Sequence, residues 1–268
     1  MKPDLKQNLQ KHHRPGKIPY LKVMLYEEQI QKELIAWQKK MRSSPTLFDK
    51  FSKRMQVKLN SYIPEKVHRA ITGAIKQMVR GVLFGATYST KEQPANQSIL
   101  DAETMVLQRI NFYKTAAAAE GGATGAGGIL LGFVDFPVLL GMKIKLLFDI
   151  AAFYGHSIKD YKERLFILHI FQLAFSSQQH RSKVFEQIID WDKKKDLLPD
   201  DINQFAWREF QQEYRDYIDL AKMAQLIPGI GAVIGFVVNY RLIKKLGYTA
   251  MNAYRLRYFE KKLLSAGS

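Results

Sequence analysis

Apolar residues recur every three or four positions along most of the chain, the spacing that places side chains on one face of an α-helix. Ser43, Ser44 and Pro45 end the first such stretch, which predicts an amphipathic helix over residues 18–42. We find no convincing run with the alternating pattern of a β-strand, so the chain is predicted to be all-α, a multi-helix bundle. The inward positions of the first helix are Val23, Tyr26, Ile30, Leu34, Trp37 and Met41.

Two further helices complete a basic amphipathic module. One is predicted over residues 48–62, and the next opens at Pro64, because proline is tolerated in the first turn of a helix, and reaches residue 78. Residues 87–97 are polar and contain Pro94, which is typical of a linker. We therefore divide the chain into a basic flexible arm (residues 1–17), the basic module (residues 18–86) and a helical core (residues 98–262).

Capping residues mark the helix ends of the core. Ser98 with Asp101, and Ser157 with Asp160, have the spacing of helix N-terminal caps, and Gly155 is placed to end a helix. Six helices are predicted in the core. The first begins at residue 98, the second runs between Asp135 and Gly155, and the third follows Asp160 to residue 175. The fourth carries Val184, Ile188 and Trp191, the fifth runs from Pro199 to residue 221, and the sixth runs from near Pro228 to residue 256.

Two long apolar stretches, residues 121–142 and 223–240, are unusually rich in glycine. Each has about the length of 17 to 25 residues that crosses a bilayer core. Glycines four residues apart leave one helix face without side chains and let a second helix come close. The two segments are therefore predicted to pack together. The residues assigned to this contact are Gly121, Gly122, Gly125, Gly128, Gly132, Asp135, Pro137, Pro228, Gly229, Gly231, Gly235 and Asn239.

The sequence is compatible with three arrangements of these segments: they span the bilayer, pack inside the protein or enter one leaflet. Spanning is disfavoured by Asp135, because a charge at a helix centre costs roughly 2.5 to 3.5 kcal/mol on insertion, and by the glycines and prolines. The segments can instead pack inside the protein with Asp135 and Asn239 hydrogen-bonded, or enter one leaflet as a hairpin. In the hairpin, long cationic side chains would reach the phosphate headgroups. These predicted membrane-surface residues are Lys143, Lys145, Arg241, Lys244 and Lys245.

Charge is concentrated at the two ends of the chain. Of the formal net charge of +16, residues 1–91 supply +13 (19 Lys/Arg against 6 Asp/Glu) and residues 241–268 supply +6 (7 against 1). Such ends attract polyanions, either nucleic acid or an anionic membrane leaflet. The chain has no cysteine, and its first residues lack the apolar run of a secretory signal. We therefore expect a cytoplasmic protein.

Searches for catalytic motifs find none: there is no GxSxG, HExxH or GxxxxGK[ST] pattern. The run from Gly229 to Gly235 has the wrong spacing for a dinucleotide loop. His169 lies on an intensely apolar helix without a second ligand at metal-site spacing, so it is interpreted as a core histidine. We predict no catalytic residue, cofactor or metal.

The two glycine segments resemble the EcsC family of bacteria, named for its association with an ABC transporter. The resemblance is carried by AAAAEGGATGAGGILLGFVDFPVLLGMKIKLLFDIAAFYGHS at residues 116–157 and LIPGIGAVIGFVVNYRLIKKLGYTAMNAYRLR at residues 226–257. It implies a compact helical protein linked to transporter-related or membrane processes, and it assigns no catalytic role to any residue.

These observations predict a non-enzymatic accessory protein at the inner face of the cell membrane, peripheral or partly inserted, with anionic lipid, an ABC transporter complex or another membrane protein as its partner. One alternative is a basic helical protein that binds nucleic acid, although neither a helix-turn-helix nor an aromatic RNA-binding signature is present. The other is a lipid or peptide hydrolase that uses Asp135 as an acid or base.

Overall fold

The computed structural model places a set of helices around one buried apolar core. It describes residues 17–43, 73, 76, 77, 80, 81, 90, 97–126, 136–176, 178–198 and 231–266. All seven α-helices of these residues pack together and no strand is found among them, which confirms the all-α prediction. The predicted helices over residues 48–62 and 199–221, and most of that over residues 64–78, lie outside the described residues.

The helices are numbered here in chain order. They are α1 (Lys17–Arg42), α2 (Ile99–Ala126), α3 (Phe136–Phe153), α4 (Tyr161–Phe175), α5 (Gln178–Ile188), α6 (Trp191–Lys194), a 3₁₀ turn (Lys195–Leu197) and α7 (Gly231–Ala266).

Helix α1 turns the predicted face inward. Ile30, Leu34 and Met41 are buried, and Trp37 packs on the core with partial exposure. On the opposite side Leu25 and other large side chains are exposed. The period of the apolar residues therefore fixed both the extent and the orientation of this helix.

The predicted caps form as hydrogen bonds. Ser98 Oγ accepts from the backbone N–H of Asp101 (3.1 Å) and donates to its carboxylate (2.6 Å) at the start of α2. The Asp160 carboxylate accepts from the backbone N–H of Lys162 (2.9 Å) at the start of α4. After α3, Gly155 takes a φ of 79°, a conformation that costs glycine little, and the chain closes a Schellman-type turn.

The predicted helix through Trp191 is interrupted. Asp190 has a φ of 51°, in the left-handed region that aspartate tolerates better than most residues, and it separates α5 from α6. Its backbone N–H leaves the helical ladder and donates to Glu260 Oε1 on α7 (3.0 Å). The break therefore couples the chain to the last helix, a relation that the local sequence does not encode.

The most extensive helix contact in the core joins α2 and α7, which run antiparallel. Glu103 meets Arg255, Ile110 meets Gly247, and Lys114 lies over the ring of Tyr240. At Gly247, a Cβ atom would stand 2.5 Å from Ile110 Cγ1. At Gly247 the backbone of α7 therefore comes close to the Ile110 side chain of α2.

Candidate functional site

Two buried arginines project from α7 into the middle of the bundle. The Arg255 side chain is 4% exposed. Its guanidinium donates hydrogen bonds to both carboxylate oxygens of Glu103, at 2.7 Å from Nε to Oε1 and 2.6 Å from Nη2 to Oε2. Glu103 is fully buried. Arg255 Nη1 also donates to Glu33 on α1 at 2.9 Å. A single side chain therefore joins α7 to α1 and α2.

The second arginine makes an equivalent junction two residues further along α7. Arg257 Nη1 donates to Glu163 on α4 at 2.7 Å, and its other nitrogens contact both carboxylate oxygens of Asp192 at 3.1 and 2.7 Å. The guanidinium also lies 4.5 Å from the centroid of the Phe166 ring. Although burial would raise the pKa of Asp192, hydrogen bonds from Arg257 and Lys195 outweigh it and hold that pKa at about 2.

A stacked tyrosine pair links the two junctions. The rings of Tyr154 and Tyr254 lie 5.2 Å apart with 17° between their planes. Tyr154 donates to Glu103 Oε1 at 2.8 Å, and Tyr254 donates to Glu163 Oε1 at 2.6 Å. Burial, followed by the neighbouring carboxylates, raises the pKa of both tyrosines well above the usual value, so both remain donors.

His156 borders this network without carrying charge near neutral pH. Its Nδ1 lies 3.5 Å from Glu163 Oε2, and its ring lies 5.2 Å from that of Tyr254. Burial lowers the pKa of His156 to about 4, and this effect outweighs the attraction of Glu163. The positive charge beside these carboxylates therefore comes from the arginines rather than from histidine.

The arrangement is suited to holding helices rather than to acid–base chemistry. Glu103 and Glu163 already accept from an arginine and a tyrosine each, which consumes most of their capacity as acceptors. Within the described part of the chain, no group of three potential ligands is placed to hold a metal ion. A buried pair of this kind joins the helices that supply its two partners, because separating them would leave a charge buried without its counter-charge.

A third buried carboxylate, Asp149 on α3, contacts side chains of α2 and of its own helix. Asp149 accepts from Lys145 one turn earlier and from Thr90 (3.3 Å), and it lies 3.3 Å from Arg109 Nε and 3.4 Å from the hydroxyl of Tyr113. Burial, then the charge of Asp149, raises the pKa of Tyr113 to about 12. Lys145 is therefore committed to an internal ion pair.

The predicted membrane-surface residues divide into two sets. Lys143 is only 3% exposed and lies over the ring of Phe175, and Lys145 is partly buried against Asp149. Neither has its side chain fully on the surface, because α3 turns this face toward its neighbours. By contrast, Arg241, Lys244 and Lys245 are exposed on α7.

The exposed cations of α7 share a face with exposed apolar groups. Val237, Arg241, Lys244 and Tyr248 follow one another at spacings of four, three and four residues, which places them in one row along the helix. Val237 is 37% exposed and Tyr248 40%. We call this row the α7 cationic face.

The glycine contact is described only in part. Gly121 is buried and Gly122 is partly buried on α2, and Gly125, Pro137, Gly231 and Gly235 lie within helices. If the antiparallel register of α2 and α7 continues, residues 121–125 lie near residues 231–235. This register favours the predicted packing of the two glycine segments, which stays a prediction. Gly128, Gly132, Asp135, Pro228 and Gly229 lie outside the described residues.

Asn239 on α7 and His169 on α4, two polar residues within apolar sequence, have different surroundings. Asn239 is 4% exposed, and its Nδ2 has no hydrogen-bond partner in the structure as described. His169 packs against the ring of Trp191 (5.6 Å), and burial lowers its pKa to about 4, outweighing contacts with Gln172 and Gln187. His169 is thus a partly buried residue that is neutral at physiological pH.

Sequence reasoning missed the arginine–carboxylate junctions. A signal for them was present, since Glu103 stands three residues before Val106 on the apolar face of α2, and Glu163 stands three residues before Phe166 on that of α4. A charge on a core face needs a buried partner. The sequence alone does not state which of the 41 basic residues supplies it.

The fold and these contacts define a helical protein organised around buried arginine–carboxylate pairs, with a cationic face on its C-terminal helix. The chain belongs to the EcsC protein family, whose model matches residues 28–259. It is similar to Protein EcsC of Bacillus subtilis (strain 168), with 41% identity over 233 residues that cover 87% of this chain and 96% of that protein. It is also similar to the protein named Uncharacterized protein YdbA of the same organism, with 27% identity over 249 residues, 88% of this chain and 90% of the other. No solved structure matches the chain.

Proposed function

We propose that this protein is a non-enzymatic accessory protein that docks peripherally on the anionic, cytoplasmic face of a membrane. The observation that carries the proposal is the α7 cationic face, where Arg241 and Lys244 lie between the exposed side chains of Val237 and Tyr248. Cations favour the phosphate layer, while an aliphatic and an aromatic group suit the boundary below it. The partner class implied by the family resemblance is an ABC transporter complex or another membrane protein.

The mode of contact proposed is docking on the surface. Among the described helices, none combines the length and the apolarity that crossing a membrane requires. The buried arginines are already paired with carboxylates inside the bundle, which leaves lipid contact to the exposed cations.

Vesicle co-sedimentation tests the proposal. The full chain is mixed with neutral phosphatidylcholine vesicles and with vesicles that also contain phosphatidylglycerol, across a salt series. We expect binding to the anionic vesicles alone, and its loss as salt rises, because the screening length shrinks from about 10 Å at 0.1 M to about 3 Å at 1 M.

A matched pair of variants locates the surface. Reversing two charges on the α7 cationic face (Arg241→Glu with Lys244→Glu) should weaken anionic vesicle binding by about tenfold or more, since each cation near the surface contributes on the order of 1 kcal/mol. Lys159→Glu with Lys261→Glu makes the same change in net charge on exposed residues elsewhere and should weaken it much less. Equal losses would reject this face as the docking surface. Indifference of the unaltered protein to anionic vesicles, with salt-sensitive binding to DNA, would reject the function in favour of the nucleic-acid alternative.

A further inference from the structure

The face of α1 that points away from the core carries a row of exposed residues. Its apolar members are between 51% and 59% exposed, and its central glutamate and lysine pair with each other at 2.7 Å on the helix surface. Successive members are alternately four and three residues apart, the repeat by which two helices pack along a seam. We call this set the α1 outer row: Leu21, Leu25, Glu28, Lys32, Ile35 and Lys39.

The α1 outer row matches a second copy of itself that runs in the opposite direction. If the two helices pack with their crossing point beside residue 30, each residue faces the one equally far on the other side of that point. Leu25 then faces Ile35 of the second copy, and Glu28 faces Lys32 of the second copy. Twofold symmetry makes each contact occur twice. The centre of the seam would thus hold two acid–base contacts, with an apolar contact on either side of them.

The residues nearest the symmetry axis are uncharged. Gln29 and Gln31, both exposed, flank residue 30 and would approach their own counterparts in the second copy. Glutamine amides donate and accept hydrogen bonds, so two of them can pair without repulsion. At the outer ends Leu21 would face Lys39 of the second copy, whose aliphatic stem can cover it while the ammonium group stays in water. The antiparallel arrangement therefore places no like charges of the row opposite each other.

Charge disfavours the other ways of covering the α1 outer row. A parallel copy would place Glu28 against Glu28 and Lys32 against Lys32, and such contacts between like charges are destabilising. An anionic bilayer would meet the Glu28 carboxylate in the middle of the row, where the negative charge of the leaflet repels it. A second copy in the opposite direction offers both an apolar group and the opposite charge where the row needs them.

We propose that α1 pairs with α1 of a second copy in an antiparallel two-helix contact, which makes the protein a twofold-symmetric dimer. The proposal does not depend on membrane docking. A seam formed by one helix from each copy is small, so the dimer should dissociate on dilution. The net charge of +16 on each copy opposes association. Salt screens that long-range repulsion more than it screens charges in direct contact, so association should strengthen as salt rises from about 0.01 M to about 0.15 M.

Sedimentation equilibrium of the full chain measures the association, and charge exchange locates it. Glu28→Lys turns both acid–base contacts into repulsion and should weaken dimerisation about tenfold or more, since the symmetry applies the change twice. Lys32→Glu should do the same. The double variant Glu28→Lys with Lys32→Glu restores opposite charges across the seam, so its dissociation constant should return to within about threefold of the original value.

Glu186→Lys is the matched control for this series. It makes the same change in net charge at an exposed glutamate of α5 and should weaken dimerisation much less. Equal weakening by Glu28→Lys and Glu186→Lys would reject the seam. So would a double variant that associates no better than the single ones.

Disulfide cross-linking tests the direction of the helices, because the chain contains no cysteine. Under mild oxidation Leu25→Cys with Ile35→Cys should form a covalent dimer, since each new thiol lies opposite the other in the second copy. Leu25→Cys alone should form little, because the two copies of residue 25 are about 15 Å apart along the seam. Parallel helices would cross-link the single variant as readily as the double one, and that result would overturn the proposal.

The dimer and the membrane function can fail separately. A chain that stays monomeric up to about 100 μM at about 0.15 M salt would overturn the dimer. If, in addition, Leu25→Asp weakened binding to phosphatidylglycerol vesicles, the α1 outer row would contact lipid instead of a second copy. A protein that forms the expected cross-link and ignores vesicles would support the dimer and reject membrane docking.

Discussion

Arg255 and Glu103 lie 152 residues apart in the chain and form a two-pronged ion pair in the centre of the bundle, with N–O distances of 2.7 and 2.6 Å. Both side chains are almost fully removed from solvent. Arg255 thereby joins α7 to α2 through Glu103 and to α1 through Glu33. The stability of the fold should therefore depend on keeping the two partners together.

Breaking this pair from one side should be costly. Glu103→Leu leaves the Arg255 charge without its main partner, and we expect the free energy of unfolding to fall by about 3 to 5 kcal/mol in urea denaturation. The double variant Glu103→Leu with Arg255→Met removes both charges and should lose clearly less than the sum of the two single losses. Additive losses would show that the two charges do not interact in the folded protein.

Gly247 should resist substitution because of its position against α2. In Gly247→Ala the new Cβ would stand 2.5 Å from Ile110 Cγ1, a stiff β-branched side chain in the core, so the helices must separate. We expect a loss of about 1 to 3 kcal/mol in the free energy of unfolding. Gly141→Ala is the control, since no atom lies within 4 Å of its Cβ position, and it should stabilise the protein by about 0.5 to 1 kcal/mol through helix propensity. If both variants gained stability, the close approach at Gly247 would be refuted.

Stability should decline as the medium is acidified through the histidine range. The pKa of His156 is lowered by burial from 6.5 to about 4, so between these pH values the unfolded chain binds a proton that the folded protein does not. The free energy of unfolding should therefore fall as pH drops from about 6.5 to about 4. Below that, protonation of Asp192, whose pKa is about 2, should remove the support that it gives to Arg257.

Replacing His156 should flatten part of this pH profile. His156→Gln removes the titrating group, and urea denaturation measured from pH 7 to pH 4 should show a smaller slope than in the unaltered protein. The exposed Gln31 provides the control, as Gln31→Ala changes no titrating group and should leave the slope nearly unchanged. Identical slopes in all three proteins would contradict the assignment of this pH dependence to His156.

The lysines of α3 should behave differently from the cations of α7. Neutralising Lys145 with Lys145→Gln leaves Asp149 short of a partner and should lower the melting temperature, with little effect on anionic vesicle binding once the protein is folded. Arg241→Gln should have the opposite result, with weaker vesicle binding and an unchanged melting temperature, because Arg241 is exposed. If Lys145→Gln and Arg241→Gln weakened vesicle binding equally, Lys145 would have to contact the membrane surface.

The helices whose sequence pattern is local and periodic were predictable. The inward residues of α1, the cap formed by Ser98 with Asp101 and the left-handed glycine at residue 155 each depend on neighbours within one or two turns, and the structure confirms them. The break at Asp190 was not predicted, because it is stabilised by Glu260, which is 70 residues away in the chain.

The sequence by itself therefore determined the all-α class, the direction in which α1 faces and a cationic character concentrated at the chain ends. Only the tertiary structure decided that Lys143 and Lys145 turn inward while Arg241 and Lys244 remain exposed. It also decided that the ion-pair partner of Arg255 is Glu103. The physical reason is that helix formation follows local periodicity, whereas pairing of a buried charge follows the register in which distant helices pack.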